Sequence, residues 1–341
     1  LADNLPVEGS LSGRNIVTNG GMNVNQRGNQ TGLTANAYTT DRFFFAISAR
    51  DELVYSVEQS TDVPSGSGFA NSLKYTTTTP ESSIATDEYA NIWQKIEAQN
   101  LQHLAYGTSS AKKLTLSFWV KSSVTGTFCV GLYKEDNTSQ IHNKTYTISS
   151  ASTWEHKTIT FEANTLSGGA IDDDNGRGIY LNWHLAAGSN FDAVSTSSGW
   201  ANYSANKWCA PSTTDAVITT TNATFQLTGV QLEVGSQSTP FEHEPYSVTL
   251  SKAQRYYYSW VSSGLSDNIY IRSPYSTGTP PNSSASASYT FPVTMRANPT
   301  ITTTYNFSRF TASIHNAVAQ IGTTSAGNAY AATEWQADAE L

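Results

Sequence analysis

Hydrophobic and polar residues alternate over short stretches along most of the chain, which is typical of half-buried β-strands. The segments between them are polar and rich in Gly, Pro, Asn and Asp, the residues that form turns. The alternation predicts strands at Ser72–Thr77, Asn91–Ala98, Lys113–Lys121, Gly126–Tyr133, Thr153–Glu162, Gly178–Ala186, Phe225–Val234, Asn268–Pro274, Ser286–Thr294 and Thr300–Phe307. An all-β protein follows from this pattern.

Helical periodicity is nearly absent. Leu101–Leu104 fits one turn and Val248–Arg255 fits two, while Pro240 and Pro245 bracket a connector that cannot belong to a central strand. We therefore expect two domains, with at most one short helix near their junction. They are a jelly-roll β-sandwich at 13–246 and a smaller β-sandwich-like C-terminal domain at 247–341, preceded by a linker from an upstream segment at 1–12.

Composition and charge exclude several classes of function. The chain has 341 residues, of which 13% are charged, and a net charge of -8. Its few basic residues are scattered singly, so no basic surface is expected for a nucleic-acid backbone. No run of about 18 apolar residues is present, so we expect no membrane insertion.

Signals for catalysis or metal binding are poor. The sequence contains neither an HExxH nor a GxSxG motif, and two cysteines are too few for a cysteine-based zinc site. We assign no catalytic residue, no metal and no cofactor, and we expect the protein not to be an enzyme. Cys129 and Cys209 lie in apolar or small-residue settings, which favours buried thiols over a disulfide without excluding the bridge.

Alternation divides the side chains of the predicted strands into two faces. The inward set is aliphatic and aromatic, comprising Leu114, Leu116, Phe118, Val120, Phe128, Val130, Leu132, Ile179, Leu181, Trp183 and Leu185. The opposite face mixes aromatic, amide and charged side chains, comprising Trp93, Lys95, Glu97, Trp119, Lys121, Tyr133, Tyr180, Asn182 and His184.

This second face is a candidate carbohydrate-binding surface if its strands share one sheet. Aromatic rings match the C–H faces of sugars, while amides and charges bind the hydroxyls. Two alternatives stay open, namely coverage by loops or a neighbouring subunit and an ordinary solvated sheet face.

A long irregular stretch, Gly188 to Pro211, contains four further aromatic residues. Loops of this length often bind ligands. Trp200, Tyr203 and Trp208 are therefore secondary binding candidates, and Phe191 lies in the same stretch. The alternative is that Trp200 and Trp208 close one end of the sandwich as packing residues.

A series of sequence blocks carries a family resemblance. The blocks are RNIVTNGGMNVNQRG at 14–28, TTDRFFF at 39–45, KIEAQNLQHLAYGTSSAKKLTLSFWVKSSVTGTFCVGLY at 95–133, STWEHKTITFEANT at 152–165, TGVQLEVGSQSTPFEHEPYSVTLSKAQRYYY at 228–258, TFPVTMRANPT at 290–300 and ADAEL at 337–341. In this order they resemble tail-fibre and tail-associated proteins of tailed bacteriophages, and the resemblance covers nearly the whole chain.

The resemblance implies a carbohydrate-binding-module-like jelly roll followed by a small distal β-domain, assembled as a homotrimer. It further implies a virion protein that is assembled in the host cytoplasm, joined to upstream tail or fibre proteins, and directed at host surface polysaccharide or lipopolysaccharide. Related jelly rolls often hold a structural calcium, at places that correspond to Asn19–Met22 and Thr228–Val230. Thr228 and Gly229 supply no carboxylate there, so we do not assign that metal.

Three functions are compatible with these observations. The first is a receptor-binding fibre tip with weak sugar sites made effective by multivalency. The second is a purely structural virion component, such as a decoration or adaptor protein. The third is a glycan depolymerase, for which no local pair of carboxylates is evident.

Overall fold

The computed structural model describes residues 12–48, 52–260, 283–303, 309–323 and 335–341, and over these residues the chain is all-β with few helices. It divides into two compact units, the first running to Thr249 and the second spanning Leu250–Glu340. The predicted strand Asn268–Pro274 lies outside the described residues, as does the end of the predicted strand Thr300–Phe307.

The described strands of the first unit include all seven that the alternation predicts before residue 240. They are β1 (Gln30–Leu33), β2 (Ala37–Tyr38), β3 (Phe44–Ser48), β4 (Val54–Ser60), β5 (Ser72–Thr79), β6 (Tyr89–Glu97), β7 (Leu114–Ser122), β8 (Gly126–Lys134), β9 (Gln140–Ile148), β10 (Glu155–Phe161), β11 (Arg177–Ala187), β12 (Ala201–Asn202) and β13 (Thr224–Val234). The alternation did not predict β1 to β4, β9 or β12.

Helical structure is short throughout the described residues. A 3-10 helix spans Ala98–Leu104 and another spans Ala205–Lys207. The helix α1 is a single turn at Ala216–Thr219, and α2 covers Tyr246–Gln254. The helix expected near the domain junction is thus present as α2, while α1 is an addition to the prediction. None of these helices is long and apolar enough to cross a membrane.

The first unit is a sandwich of two antiparallel sheets. One sheet has the order β1-β4-β5-β13-β7-β10, and the other has the order β12-β9-β8-β11-β6-β3-β2. Several connections cross between the sheets; β7 and β8, for example, are neighbours in sequence but belong to opposite layers. Such crossovers are characteristic of a jelly roll, as predicted.

The core lies between these two sheets and is built from the inward set that alternation predicts. Leu116 and Phe118 come from the first sheet, Val130 and Leu181 come from the second, and all four are fully buried. The rings of Phe118 and Trp183 meet across the layers with centroids 5.7 Å apart. Each fully buried aliphatic or aromatic side chain contributes about 1.5–3 kcal/mol, so this interface is the main stabilising feature of the unit.

The second unit is also built from antiparallel strands in its described residues. Its strands are β14 (Tyr257–Trp260), β15 (Ser283–Thr290), β16 (Thr300–Thr303), β17 (Arg309–Ala312), β18 (Asn316–Thr323) and β19 (Trp335–Asp338). They form two three-stranded sheets, β14-β19-β16 and β15-β18-β17. Phe291, Met295 and Trp335 are central to a small buried cluster.

Candidate functional site

The outer face of the seven-stranded sheet presents three aromatic side chains from adjacent strands. Tyr180 on β11 lies directly opposite Tyr133 on β8, and Trp93 is on β6, the other neighbour of β11. The ring centroids of Tyr133 and Tyr180 are 5.3 Å apart, and those of Trp93 and Tyr180 are 5.6 Å apart. Because alternate side chains of a strand share a face, these three rings form a continuous aromatic floor.

The segment 188–211 lies over this floor and adds a wall. Trp208 meets Trp93 at a centroid distance of 6.3 Å and an interplanar angle of 89°. It also meets Tyr133 at 5.4 Å and 73°, and Tyr203 packs against both rings at 5.1–6.0 Å. In these edge-to-face contacts the rings are close to perpendicular, so the aromatic surface is concave and not flat.

Hydrogen bonds to β9 and to the residue that follows β10 hold the segment in place. The side-chain amide of Asn143 donates to the carbonyl oxygen of Trp208 at 3.1 Å. The indole of Trp200 donates to the carbonyl oxygen of Glu162 at 2.7 Å, and β12 pairs with β9. The segment is therefore hydrogen-bonded to the rest of the unit at several points, and these bonds position Trp208 in the absence of ligand.

Floor and wall enclose an open pocket of about 240 Å³, which we call the aromatic pocket. Its lining consists of Tyr89, Trp93, Tyr133, Glu135, Tyr180, Phe191, Tyr203 and Trp208. Seven of these eight residues are aromatic. The lining thus combines a large apolar surface with phenolic hydroxyls and one carboxylate.

Glu135 is the charged residue of the lining, and its carboxylate is held from two sides. The hydroxyl of Tyr180 donates to Oε2, and the Arg177 guanidinium forms an ion pair with Oε1 at 3.1 Å. Burial, together with the neighbouring carboxylate, raises the pKa of the Tyr180 hydroxyl above its usual range. Tyr180 therefore stays a neutral donor and fixes the orientation of Glu135.

Lys95 lies beside the floor with its ammonium group against two rings. Its Nζ is 5.3 Å from the ring centroid of Trp93 and 5.2 Å from that of Tyr180. At such distances the ring quadrupoles attract a cation. Lys95 therefore stabilises the aromatic floor and does not line the pocket.

Five of the predicted site residues meet in the aromatic pocket, and the others do not. The premise of a single sheet is wrong for Trp119 and Lys121, because β7 belongs to the opposite six-stranded sheet. There Trp119 packs against His156, with centroids 5.1 Å apart, and Lys121 pairs with Asp62 at 2.7 Å. Both residues are separated from the pocket by the core.

Glu97, Asn182 and His184 are on the predicted strands but are buried, with at most 1% of each residue exposed. The prediction that they face a ligand directly is therefore wrong. Glu97 accepts a hydrogen bond from Gln99 beside the 3-10 helix, and His184 is covered by Trp208. Both amide atoms of Asn182 are buried without a hydrogen-bond partner among the described residues.

Trp200 is a packing residue, in agreement with one of the two alternatives for the loop. It is 9% exposed and belongs to the hydrophobic core, where its ring meets Tyr106 at 5.5 Å and His142 at 5.9 Å. Trp208 is also largely buried, yet one part of it lines the pocket. Packing and pocket lining are therefore combined in Trp208 and not in Trp200.

Three lining residues were not selected as site residues from the sequence. Tyr89 lies four residues before Trp93 on the same face of β6, because that strand begins earlier than predicted. Glu135 follows Tyr133 at the next-but-one position, directly after β8. Extending the alternation at both strand ends would have found these two. Phe191 meets Tyr89 at 5.2 Å through a loop contact that alternation does not describe.

The chain matches no protein-family model and no curated protein sequence. Among solved structures it is similar to the enzymatically active domain of tailspike protein 4 from bacteriophage CBA120, with a TM-score of 0.36 and 14% identity over 65% of this chain. This chain spans 21% of the length of that tailspike chain.

Two carbohydrate-binding modules are also similar over most of their own length. The family 11 module of a cellulosomal cellulase from Clostridium thermocellum gives a TM-score of 0.29 at 14% identity, over 62% of this chain and 97% of that one. The xylan-binding CBM22-1 domain from Paenibacillus barcinonensis gives a TM-score of 0.30 at 8% identity, over 67% of this chain and all (100%) of that one. Similarity at these scores carries no conclusion about ligand or activity.

Proposed function

We propose that the first unit binds a carbohydrate in the aromatic pocket and does so without catalysis. The observation that carries this proposal is the convergence of seven aromatic side chains, several phenolic hydroxyls and one carboxylate on a single open cavity. Apolar ring faces take the C–H surfaces of a sugar, and the polar groups take its hydroxyls.

A binding role is favoured over hydrolysis by the number of carboxylates. Glycosidases use two carboxyl groups about 5–9.5 Å apart on either side of the scissile bond. Among the described residues that line the pocket, Glu135 supplies a carboxylate and the other seven supply none. Glu135 is moreover held by Arg177 and Tyr180, which suits a fixed hydrogen-bond acceptor.

The lining also indicates which sugars fit. The Glu135 carboxylate accepts hydrogen bonds from hydroxyl or amino groups of a sugar, and Arg177 and Lys95 lie beside the pocket and are not among its lining residues, so the lining itself offers no cation to a carboxylated or sulfated sugar. We therefore propose neutral or amino sugars as ligands. The perpendicular rings suit a single sugar unit that enters the corner, such as the end of a chain, better than a long flat polysaccharide surface.

At the level of the organism, we propose a tail-fibre protein that attaches a bacteriophage to glycans of its host. Support comes from the ordered sequence blocks that resemble tail-fibre and tail-associated proteins, in particular 14–28 and 228–258. We further propose a homotrimer joined to upstream tail or fibre proteins in the virion. Three weak sites acting together raise avidity by about 10²–10⁴, so shallow pockets suffice for attachment.

Glycan-array screening followed by calorimetric titration tests the proposal. Tyr203 is the best site to vary, because it lines the pocket yet is 37% exposed and contributes little to the core. Tyr203→Ala should weaken binding of the selected glycan about 5- to 30-fold, corresponding to about 1–2 kcal/mol. Tyr246→Ala is the matched control, since Tyr246 is 58% exposed and does not line the pocket.

The rival proposal is a purely structural virion protein in which the aromatic face only packs. It predicts that no host glycan binds the isolated trimer and that the pocket residues become buried in the virion. Light scattering determines the oligomeric state independently. A trimer that binds no glycan on the array, together with unchanged phage adsorption in Tyr203→Ala, would refute carbohydrate binding and favour the structural role.

A further inference from the structure

Three potential metal ligands converge below the aromatic pocket. Cys129 on β8 and His184 on β11 are direct cross-strand neighbours, and Cys209 reaches them from the segment that follows Trp208. Their ligand atoms all lie within 4.8 Å of one another, and each of the three residues is fully buried. The set joins two rigid strands to one loop, so the sequence spacing gives no sign of it.

The polar atoms of this cluster are incompletely matched. His184 Nε2 is buried and makes no hydrogen bond of good geometry among the described residues, although the His184 ring interacts with the Cys209 thiol, and Nδ1 is 3.0 Å from the side-chain amide of Asn91. The two cysteines are free thiols, with Cys129 Sγ accepting from the Ala210 amide at 3.3 Å. A buried imidazole nitrogen facing two sulfurs is an unusual arrangement for a structural core and suits a metal ligand.

We propose that Cys129, His184 and Cys209 bind a soft divalent metal ion, with Zn²⁺ as the preferred ion. Two thiolates and one imidazole are ligands that select Zn²⁺ over Mg²⁺ or Ca²⁺. Two thiolates also neutralise the divalent charge, so the complex carries no net charge into a buried site. Counting cysteines alone had excluded a zinc site, because that count leaves out the histidine.

The distances require only a small adjustment. In a tetrahedral zinc site with Zn–S of about 2.3 Å and Zn–N of about 2.0–2.1 Å, neighbouring ligand atoms are roughly 3.3–3.8 Å apart. Because the ligand atoms now lie within 4.8 Å of one another, side-chain rotations that bring them closer by about 1 Å or less give this spacing. The hydroxyl of Thr213, which is 3.3 Å from Cys209 Sγ, offers an oxygen as the fourth ligand.

The number of protons released on metal binding follows from the protonation of the ligands in the metal-free chain. Burial raises the pKa of the Cys209 thiol well above its usual value, so this thiol is protonated before metal binds. Binding breaks two S–H bonds, forms two Zn–S bonds and releases two protons to solvent. The imidazole proton moves from Nε2 to Nδ1, and the Asn91 amide turns its oxygen towards it.

That rotation links the metal to the pocket wall. In the orientation that matches the metal-free cluster, the Asn91 amide oxygen accepts from Trp208 Nε1 at 2.8 Å. Turning the amide removes this acceptor, while the metal fixes Cys209, the residue that follows Trp208. The surroundings of the Trp208 indole therefore change when the metal binds.

Titration of the full chain with Co²⁺ is the direct test. The chain is reduced and stripped with a chelator, and the absorption of thiolate-to-cobalt charge transfer is followed. We expect one ion per chain, displacement of Co²⁺ by Zn²⁺, a change in tryptophan emission and release of two protons in weakly buffered solution. Absence of the charge-transfer band, or a Cys129–Cys209 disulfide found in the freshly purified chain by mass measurement, overturns the proposal.

Substitutions assign the ligands. Cys209→Ser and His184→Gln should each weaken Co²⁺ binding by at least about 10²-fold, whereas His156→Gln, on the opposite sheet, should leave it unchanged. Circular dichroism shows whether each variant folds. If a variant does not fold, X-ray absorption at the zinc edge of the wild-type chain provides the ligand set, and a first shell without two sulfurs refutes the site. None of these measurements uses a glycan. The metal-site proposal can therefore be refuted while the carbohydrate-binding proposal stands, and the carbohydrate-binding proposal can be refuted while the metal-site proposal stands.

Discussion

The buried histidine His142 should make the stability of the first unit depend on pH below neutrality. It lies on β9 and is fully buried, with Nε2 accepting from the Glu162 amide at 3.2 Å. Burial, assisted by the nearby positive charge of Lys144, lowers the pKa of His142 from 6.5 to about 4. The folded chain therefore keeps the imidazole neutral where the unfolded chain protonates it.

The direction and the size of the stability change follow from the difference in the pKa of His142 between the folded and the unfolded chain. Above pH 6.5 both states are neutral at this position and His142 adds no pH dependence. As the pH falls from 6.5 towards 4, the unfolded chain takes up a proton that the folded chain cannot accept, so stability is lost. A difference of about 2.5 in pKa, at about 1.36 kcal/mol each, corresponds to a loss of about 3 kcal/mol.

Urea denaturation at pH 7 and pH 4.5, followed by tryptophan fluorescence, measures this loss. His142→Gln retains an oxygen that can accept from the Glu162 amide but does not titrate. Because carboxylates also titrate in this range, the informative quantity is the difference between wild type and variant. The variant should lose about 2–3 kcal/mol less than the wild type, while the exposed His243→Gln control should behave like the wild type. Equal losses in all three proteins would show that a buried neutral His142 is not the cause.

Three further predictions concern the pocket and its supports. Trp208→Ala should abolish measurable glycan binding in calorimetry, whereas Trp119→Ala, on the outer face of the other sheet, should leave affinity within about twofold. Glu135→Gln should reduce the preference for neutral over acidic sugars on an array, and an unchanged ratio would show that its charge does not select the ligand. Lys134→Met should cost about 2–4 kcal/mol in urea denaturation, because the buried Lys134 ammonium donates to three backbone carbonyls that methionine leaves unmatched. A loss below about 1 kcal/mol would contradict that role.

The inward faces of the strands could be predicted because the sandwich core is apolar on both sides. Leu114, Leu116 and Phe118 alternate with Thr115 and Ser117, and all three are buried as expected. The strand β9 escaped prediction for the opposite reason. Several of its buried residues are polar, and the side-chain amides of Gln140 and Asn143 donate hydrogen bonds to loops, so burial left no hydrophobic period in the sequence.

The assignment of strands to sheets could not be derived from alternation. Alternation with a period of two residues shows which side chains of one strand share a face. It does not show which strands are neighbours in a sheet. Trp93 and Trp119 have the same local pattern, yet β6 and β7 lie in opposite layers. The placement of Trp208 over the floor likewise depends on loop anchors, such as the Asn143 amide, that are distant in sequence.

The wall of the aromatic pocket is encoded in one continuous stretch of the chain. Phe191, Tyr203 and Trp208 all come from the segment between β11 and α1, whereas the floor comes from strands whose opposite faces form the core. Substitutions at the less buried positions of that segment, Phe191 and Tyr203, can therefore alter one side of the pocket while Trp200, which belongs to the core, and the pairing of β12 with β9 are kept. New ligand preferences are accessible by variation at these positions, and natural variants should differ there in aromatic content.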